Sequence, residues 1–489
     1  MSAAPRHVVI AGRDAALWLT AAAIQRALAP AGVTVTALEL PSALTPASTY
    51  VSLPAIEALH VRLGIDEAAL LRDTRGSFTL GHNVAGPGAA PFFLAHGSYG
   101  APIDGQGFFP FWVKARRFGL GAALEDFSPT AMAARQGRML LPDAATEVFG
   151  RTDYGYHLPG IAYAGVLKTR AARLGVTLHQ THGVAVERDG DTIRALVADG
   201  ERIGGDLFVD AGAGFHDDAD REDWGDGFVT DRVLIARTAP FSSIPAYTEL
   251  RAGPNGWLSL QASQAATHVA YAFVSTEQDD AAALAVAGAL AGLPLGDAMV
   301  QVVSPGRDPR PWHGNTIAIG EAACTFDPLF GLDLHAIQLG IVHLLSLFPA
   351  GPDFAAERDE YNRIVASSFD RLREFQSTFY ALNQFGASEF WANAREAAVP
   401  PEVAHKIATF RARGDIAPME DETFAPDLWQ ALFAGLGEMP ESWPPAIDRT
   451  PPERMKEDFR RILGFIKDKV LEQPTHDAYL ATLCRSEAA

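Results

Sequence analysis

The chain has 489 residues, 48% of them hydrophobic, and a formal net charge of −19. That length calls for two or three packed cores, and the negative charge argues against nucleic acid and against docking on anionic lipid. Only Cys324 and Cys484 occur, too few for a disulfide framework or a cysteine zinc site.

Residues Val8, Val9 and Ile10 read as a strand that passes Gly12 into an Ala-rich helix, and a second strand, Val33 to Leu38, ends at Glu39. This is the layout of a dinucleotide-binding βαβ unit with an acidic residue for a ribose. The G-x-G-x-x-G fingerprint, however, reads Gly12, Asp14, Leu17. A carboxylate stands where backbone must approach a pyrophosphate, and a leucine where helix and strand must pack closely. Asp14 also has a structural role open to it: in a first helical turn a carboxylate bonds free N–H groups and complements the dipole, worth about 0.3–1 kcal/mol. Glu39 suits a ribose or the plain end of an exposed strand equally well. Met1 to Arg6 lacks the apolar core of a signal peptide, so the expected location is cytoplasmic.

A helix is predicted from Ala55 to Leu71, followed by Gly/Pro-rich connections such as Gly86-Pro87-Gly88. The aromatic group Phe108, Phe109, Phe111 and Trp112 lies in such a connection and reads as core; Lys114, Arg116 and Arg117 read as a solvated helix face. Ser98 lacks the G-x-S-x-G frame of a nucleophile and is assigned to a loop. A helix over Ala162 to Leu174 precedes strands at Val176 to Leu178 and Val184 to Glu187, with turns at Asp189-Gly190 and Asp199-Gly200. His179 and His182 have no third ligand nearby, and no metal site is assigned. A buried parallel strand over 206–210 ends in a turn containing Gly212, and the acidic stretch Asp217 to Asp226 reads as a solvated loop. Strand-like alternation covers about 228–275. A last strand, Thr316 to Ile319, meets Gly320 and enters an apolar helix. The run Ala336 to Phe348 is too short to span a membrane. Helices continue to Phe410; a Pro-rich connector (Pro440 to Pro452) then leads to a closing helix with Phe459, Ile462, Leu463, Ile466 and Val470 on one face.

Four collinear stretches carry a family likeness: Gly12 to Trp18; Tyr156-His157 through Gly212; Arg310 to Leu329; and Phe375 to Trp391 with Phe410 to Gly414 and Gly435-Leu-Gly437. Together they resemble the flavin-dependent tryptophan halogenases. The resemblance implies an α/β fold with an FAD-binding, glutathione-reductase-like Rossmann-type domain over 1–350. That domain would carry an inserted substrate-side sheet at about 220–300, and a mostly helical, substrate-covering region would occupy 351–489. It assigns FAD contacts to Gly12, Glu39, Thr49, Gly212 and Gly320. It further implies that reduced flavin reacts with oxygen, that halide attacks the flavin hydroperoxide, and that hypohalous acid travels to a lysine beside an indole.

The residues that carry this chemistry in the family differ here. The lysine of a Phe-Lys pair falls on Thr79, which can hydrogen-bond but cannot form a chloramine. The general base falls on Phe330 within Asp327-Pro328-Leu329-Phe330-Gly331-Leu332-Asp333, and the backbone halide site on Leu332-Asp333. A carboxylate about 4 Å from chloride repels it by about 4 kcal/mol at intermediate dielectric. The flavin loop keeps only Thr49 in Pro46-Ala47-Ser48-Thr49, the W-x-W-x-I-P stretch keeps only Trp257, and the His-Tyr pair becomes Phe379-Tyr380. No catalytic residue is assigned. Two readings follow. One is a halogenase-like pseudoenzyme with FAD weakly bound or lost, kept for a small aromatic or indole ligand, as a homo-oligomer or as a heteromer with an active relative. The other is an FAD-dependent oxidoreductase, halogenase or monooxygenase, acting on an indole or other aromatic with a different residue set.

Overall fold

The structure is a computed structural model that describes residues 4–143, 150–216 and 219–485. Asp217 and Asp218 of the expected acidic loop lie outside the described residues. The chain divides into two compact units, each assembled from three segments: Met1–Gly76, Leu158–Gly225 and Val303–Arg373 form the first, and Ser77–His157, Asp226–Val302 and Glu374–Ala489 the second.

The first unit is built on β1 (His7–Gly12), α1 (Asp14–Leu28) and β2 (Thr34–Glu39). Its six-stranded sheet has the order Trp312–His313, Thr316–Ala318, Leu207–Ala211, β1, β2, Thr177–Gln180. The strands expected at Val8 to Ile10, Val33 to Leu38, 206–210 and Thr316 to Ile319 thus lie side by side in one sheet, and they run parallel. Val8, Val9, Ile10, Phe208 and Val209 are fully buried, as parallel strands covered on both faces require. On one side Val9, Leu38 and Phe208 pack with Ile193 and Leu196 of a hairpin that turns at Asp189-Gly190. α1 packs against the helices Gly160–Arg173 and Asp333–Ser346.

Three local expectations are corrected. The helix expected over 55–71 is two, Ile56–Leu63 and Glu67–Thr74, because Gly64 takes a left-handed conformation (φ 68°) that ends the first. The aromatic group expected in a connection forms a helix of the second unit, Phe108–Arg117, where Lys114 is buried rather than solvated and donates to Asp448 (2.8 Å). The apolar run is longer than its pattern suggested: Leu329–Ser346 is, by length and composition, able to cross a membrane, yet 61% of it is buried. With Ile337, Ile341 and Leu344 turned into the first unit, it is a core helix.

The second unit carries a seven-stranded sheet in the order Gly296–Val302, Arg232–Thr238, Thr267–Phe273, Gly256–Ala262, Thr248–Gly253, Gly81–Ala85, Phe92–Ala95. Helix Asp280–Ala291 lays Ala283, Ala287 and Ala291 on Leu258 and Tyr271 of that sheet, and Asp279 caps it by accepting from the Ala282 amide (2.8 Å). Helices fill the C-terminal part, and the closing helix Pro452–Glu472 buries Phe459, Ile462, Ile466 and Val470.

Candidate functional site

In an open parallel sheet, ligands sit past the carboxyl ends of the strands where the strand order reverses. Here that point is β1, flanked by β2 and by Leu207–Ala211. Gly12 is required there by contact rather than by conformation: a side chain at this position would meet the Ala211 carbonyl oxygen at 2.1 Å. Gly12 pairs with Glu39 across β1 and β2 and bridges to Gly212 on the other side. Gly320 (φ 70°) lies against Ala16 of α1, so four of the five expected contact residues converge on this turn. Thr49 is the exception in kind, because its hydroxyl is committed to the Leu158 carbonyl (3.1 Å).

A cavity of about 350 Å³ opens beyond β2 and Thr177–Gln180 and is lined by Glu39, Leu40, Ser42, Gln180, His182 and Asp199 among others. Glu39 Oε2 accepts from Lys168 Nζ (2.6 Å) and Gln180 Nε2 (3.1 Å), and the Lys168 ammonium also stands 5.5 Å from the Trp18 ring centroid. Glu39 Oε1 accepts no protein hydrogen bond among the described residues. The acid that sequence pattern places for a ribose thus retains a free acceptor.

Asp14 departs from expectation. Its carboxylate does not cap α1: it accepts from Ser42 Oγ (2.5 Å) and the Ala43 amide (3.0 Å). The reason is backbone conformation, since Asp14 sits in the left-handed region (φ 55°), which an aspartate can adopt. The expected obstruction by Leu17 takes a different form as well. Leu17 is fully buried, and its amide makes a regular helical bond to the Arg13 carbonyl (3.2 Å).

Tyr50, which the sequence reading passed over, meets Tyr163 edge to face (ring centroids 5.8 Å). Crowding by protein together with the carboxylates of Asp14, Glu321 and Asp333 pushes its phenol well above the usual range. No pattern announces this residue; the one signal is its place directly after Thr49.

At the far end of this face lies the loop 327–333. Asp327 is buried and accepts from the Leu329 amide (3.0 Å). Phe330 is buried in a left-handed conformation (φ 67°), a strain of about 1–2 kcal/mol for a non-glycine residue. Asp333, open to solvent but closely surrounded by protein, has its carboxyl pushed up to about 7 by that crowding and by Glu321 and Asp327.

In the second unit, Thr79 is fully buried and its hydroxyl donates to the Gly81 carbonyl (3.1 Å). The strands Ser77–Thr79 and Gly155–Pro159 pair there, Ser77 opposite His157. His157 is fully buried between the Ala262 carbonyl (3.0 Å) and Thr248 Oγ1 (2.8 Å), and His476 Nε2 accepts from the Phe78 amide (3.3 Å). Burial pushes His157 and His96 each down to about 3, so both imidazoles are neutral. Trp257 Nε1 donates to the Tyr380 hydroxyl (2.6 Å), joining two of the positions singled out from sequence.

A parallel sheet with an acid at the end of its second strand and a cavity beside it is an α/β architecture of the flavoprotein type. The family model described as "Tryptophan halogenase" matches residues 7–452, and the chain belongs to that family. It is 25% identical to the tryptophan 7-halogenase KtzQ of Kutzneria sp. (strain 744), covering 98% of both chains. Among solved structures it is similar to BrvH, a flavin-dependent halogenase from Brevundimonas sp. BAL3 (TM-score 0.90, 29% identity, 98% of this chain and 99% of that one). It is also similar to Xcc4156, a flavin-dependent halogenase from Xanthomonas campestris (TM-score 0.90, 25% identity, 99% and 100%).

Proposed function

We propose that this chain is a non-halogenating member of the family, kept for binding a ligand, with little affinity for FAD. The observation that carries the reading is Thr79. The position that must present a reactive amine holds a fully buried hydroxyl already bonded to a backbone carbonyl. Phe330 at the base position has no proton to exchange. The halide position falls on Leu332-Asp333, so a halide there meets a like charge.

FAD is tested against the same residues. The Glu39 end suits its adenosine, with a free carboxylate oxygen beside a cavity of about 350 Å³. The start of α1 does not suit its diphosphate, because Asp14 stands there with its carboxylate held by Ser42 Oγ and the Ala43 amide, a like charge beside an anion. The group as a whole does not fit, and no reaction step is routed through it. A second reading, an FAD-dependent oxidoreductase acting on an indole or other aromatic, draws its support from the Glu39 cavity alone.

With reduced FAD, oxygen and chloride or bromide, the protein is expected to give no halogenated tryptophan by mass spectrometry. Thr79→Lys by itself is expected to leave that unchanged, since Phe330 and Asp333 remain. Product above a protein-free control would overturn the reading.

A further inference from the structure

The seven-stranded sheet of the second unit has two edges, and the chain treats them differently. Phe92–Ala95, at one edge, is buried along its whole length. Helix Pro426–Gly435 packs on it so closely that a side chain on Gly435 would meet the Phe92 ring at 2.2 Å. Gly296–Val302, at the other edge, pairs with Arg232–Thr238 and with no second strand among the described residues. Its residues are exposed or half-buried throughout, Met299 at 37% and Val302 at 68%.

A bare edge offers a row of backbone N–H and C=O groups to any strand that reaches it, and proteins ordinarily guard such edges with charges or proline. No charge and no proline stands from Ala298 to Val303. The one guard is a bulge at the start, where Asp297 lies in the left-handed region (φ 50°) and two residues face one of the neighbouring strand. It leaves Ala298 to Val302 open to pairing. From Ala281 to Val303 the only charged residue is Asp297, in a chain where 20% of residues are charged. Its carboxylate is already paired with Arg237 (2.5 Å).

Two features of this stretch select the occupant. Side chains alternate along a strand, so Ala298, Val300 and Val302 share one face and Met299 and Gln301 the other. Val300 packs with Leu258 and Tyr271, on the face that helix Asp280–Ala291 covers. In an antiparallel pair about a two-fold axis at Val300, that residue meets its own copy and Val302 meets Ala298. The apolar row then runs unbroken across the joint, and Asp297 falls outside it. Charge is the second feature. Two copies that each carry −19 repel, and they approach most easily along a strip without net charge.

We propose that Gly296–Val302 is the interface through which two copies of this chain pair edge to edge, joining their seven-stranded sheets into one. The pairing goes beyond the proposed function and does not depend on it, since none of the residues compared with the family's reaction groups lies on this strand.

Sedimentation velocity of the full chain over a range of concentrations tests it. The natural chain is expected to form a dimer that tightens as salt screens the repulsion between copies. Val302→Lys puts a charge into the apolar row at two symmetric sites and should weaken the dimer about tenfold or more. Phe118→Lys, at a position 75% exposed just after helix Phe108–Arg117, should leave it unchanged. Amide hydrogen exchange needs no variant: protection over residues 298–302 of the natural chain should rise with concentration. A chain that stays monomeric at every concentration, its edge left to some other partner, would overturn the proposal. So would a dimer that Val302→Lys does not weaken, or one whose formation leaves exchange over 298–302 unaltered.

Discussion

In the second unit the polar side chains beside Thr79 are sealed into the protein, whereas in the first unit those around Tyr50 stay open to solvent. His157 is fully buried with both ring nitrogens hydrogen-bonded, and Thr79 is fully buried with its hydroxyl spent on a carbonyl. Asp333 and Glu321 are exposed, and Asp14 and Tyr50 are partly so. A buried polar group that already has its partners stabilises the fold and is not free to bind or react. An open one can still meet a ligand. On the proposed reading, the lysine position of the family has become packing in the second unit, while the first unit keeps a cavity beside Glu39.

If that contrast holds, substitutions in the second unit should cost stability and those at the cleft should cost little. The largest effect is expected at Lys406. Its ammonium is fully buried between Glu374 (3.1 Å) and Glu422 (2.6 Å) and lies 4.3 Å from the Trp429 ring centroid. Lys406→Met leaves two carboxylates without their cation, a loss of about 3–5 kcal/mol. Chemical denaturation would show it as a lowered midpoint, and a loss below about 1 kcal/mol would break the contrast.

Acid comes next. His96 and His157 have folded pKa values near 3, below the unfolded value of about 6.5, so between those limits the unfolded chain binds more protons. Their contribution is complete above about pH 6.5 and is lost as pH falls, on the order of 3 kcal/mol each by about pH 4. Thermal melting should therefore drop across this window, and His157→Asn should flatten the drop. A natural chain with a level profile from neutral to mild acid would mean these imidazoles meet water.

The smallest effect belongs to the cleft. Asp333 has a folded pKa of about 7, above its unfolded value near 3.9, so it holds a proton that the unfolded chain releases between those limits. Stability from this group is present below about pH 4 and is lost as pH rises toward about 7. Asp333→Asn should raise the melting temperature slightly above neutral pH and not at about pH 4. A gain of equal size at both would assign the effect to something other than charge.

Much of this was legible in the sequence, for physical reasons. β-branched runs bounded by glycine gave the four parallel strands, and the spacing from Gly12 to Glu39 placed Glu39 at the carboxyl end of β2, beside the cavity. The apolar face of the closing helix was plain from its period. The interleaving of two units was not legible, because segments such as 77–157 and 226–302 join through strand pairing, which leaves no mark on local composition. The role of Asp14 was misjudged because its left-handed φ, set by its surroundings, decides where the carboxylate points. Lys168 was missed since it belongs to no motif: it matters through Glu39, a neighbour distant in sequence.

The central claim, that this family member has kept a cleft and given up its flavin, meets its most direct test in an absorption spectrum. The protein purified from cells, and the supernatant after denaturing it, should show no flavin band, and added FAD should pass freely through a desalting column. Stoichiometric flavin released from the natural chain would contradict the account.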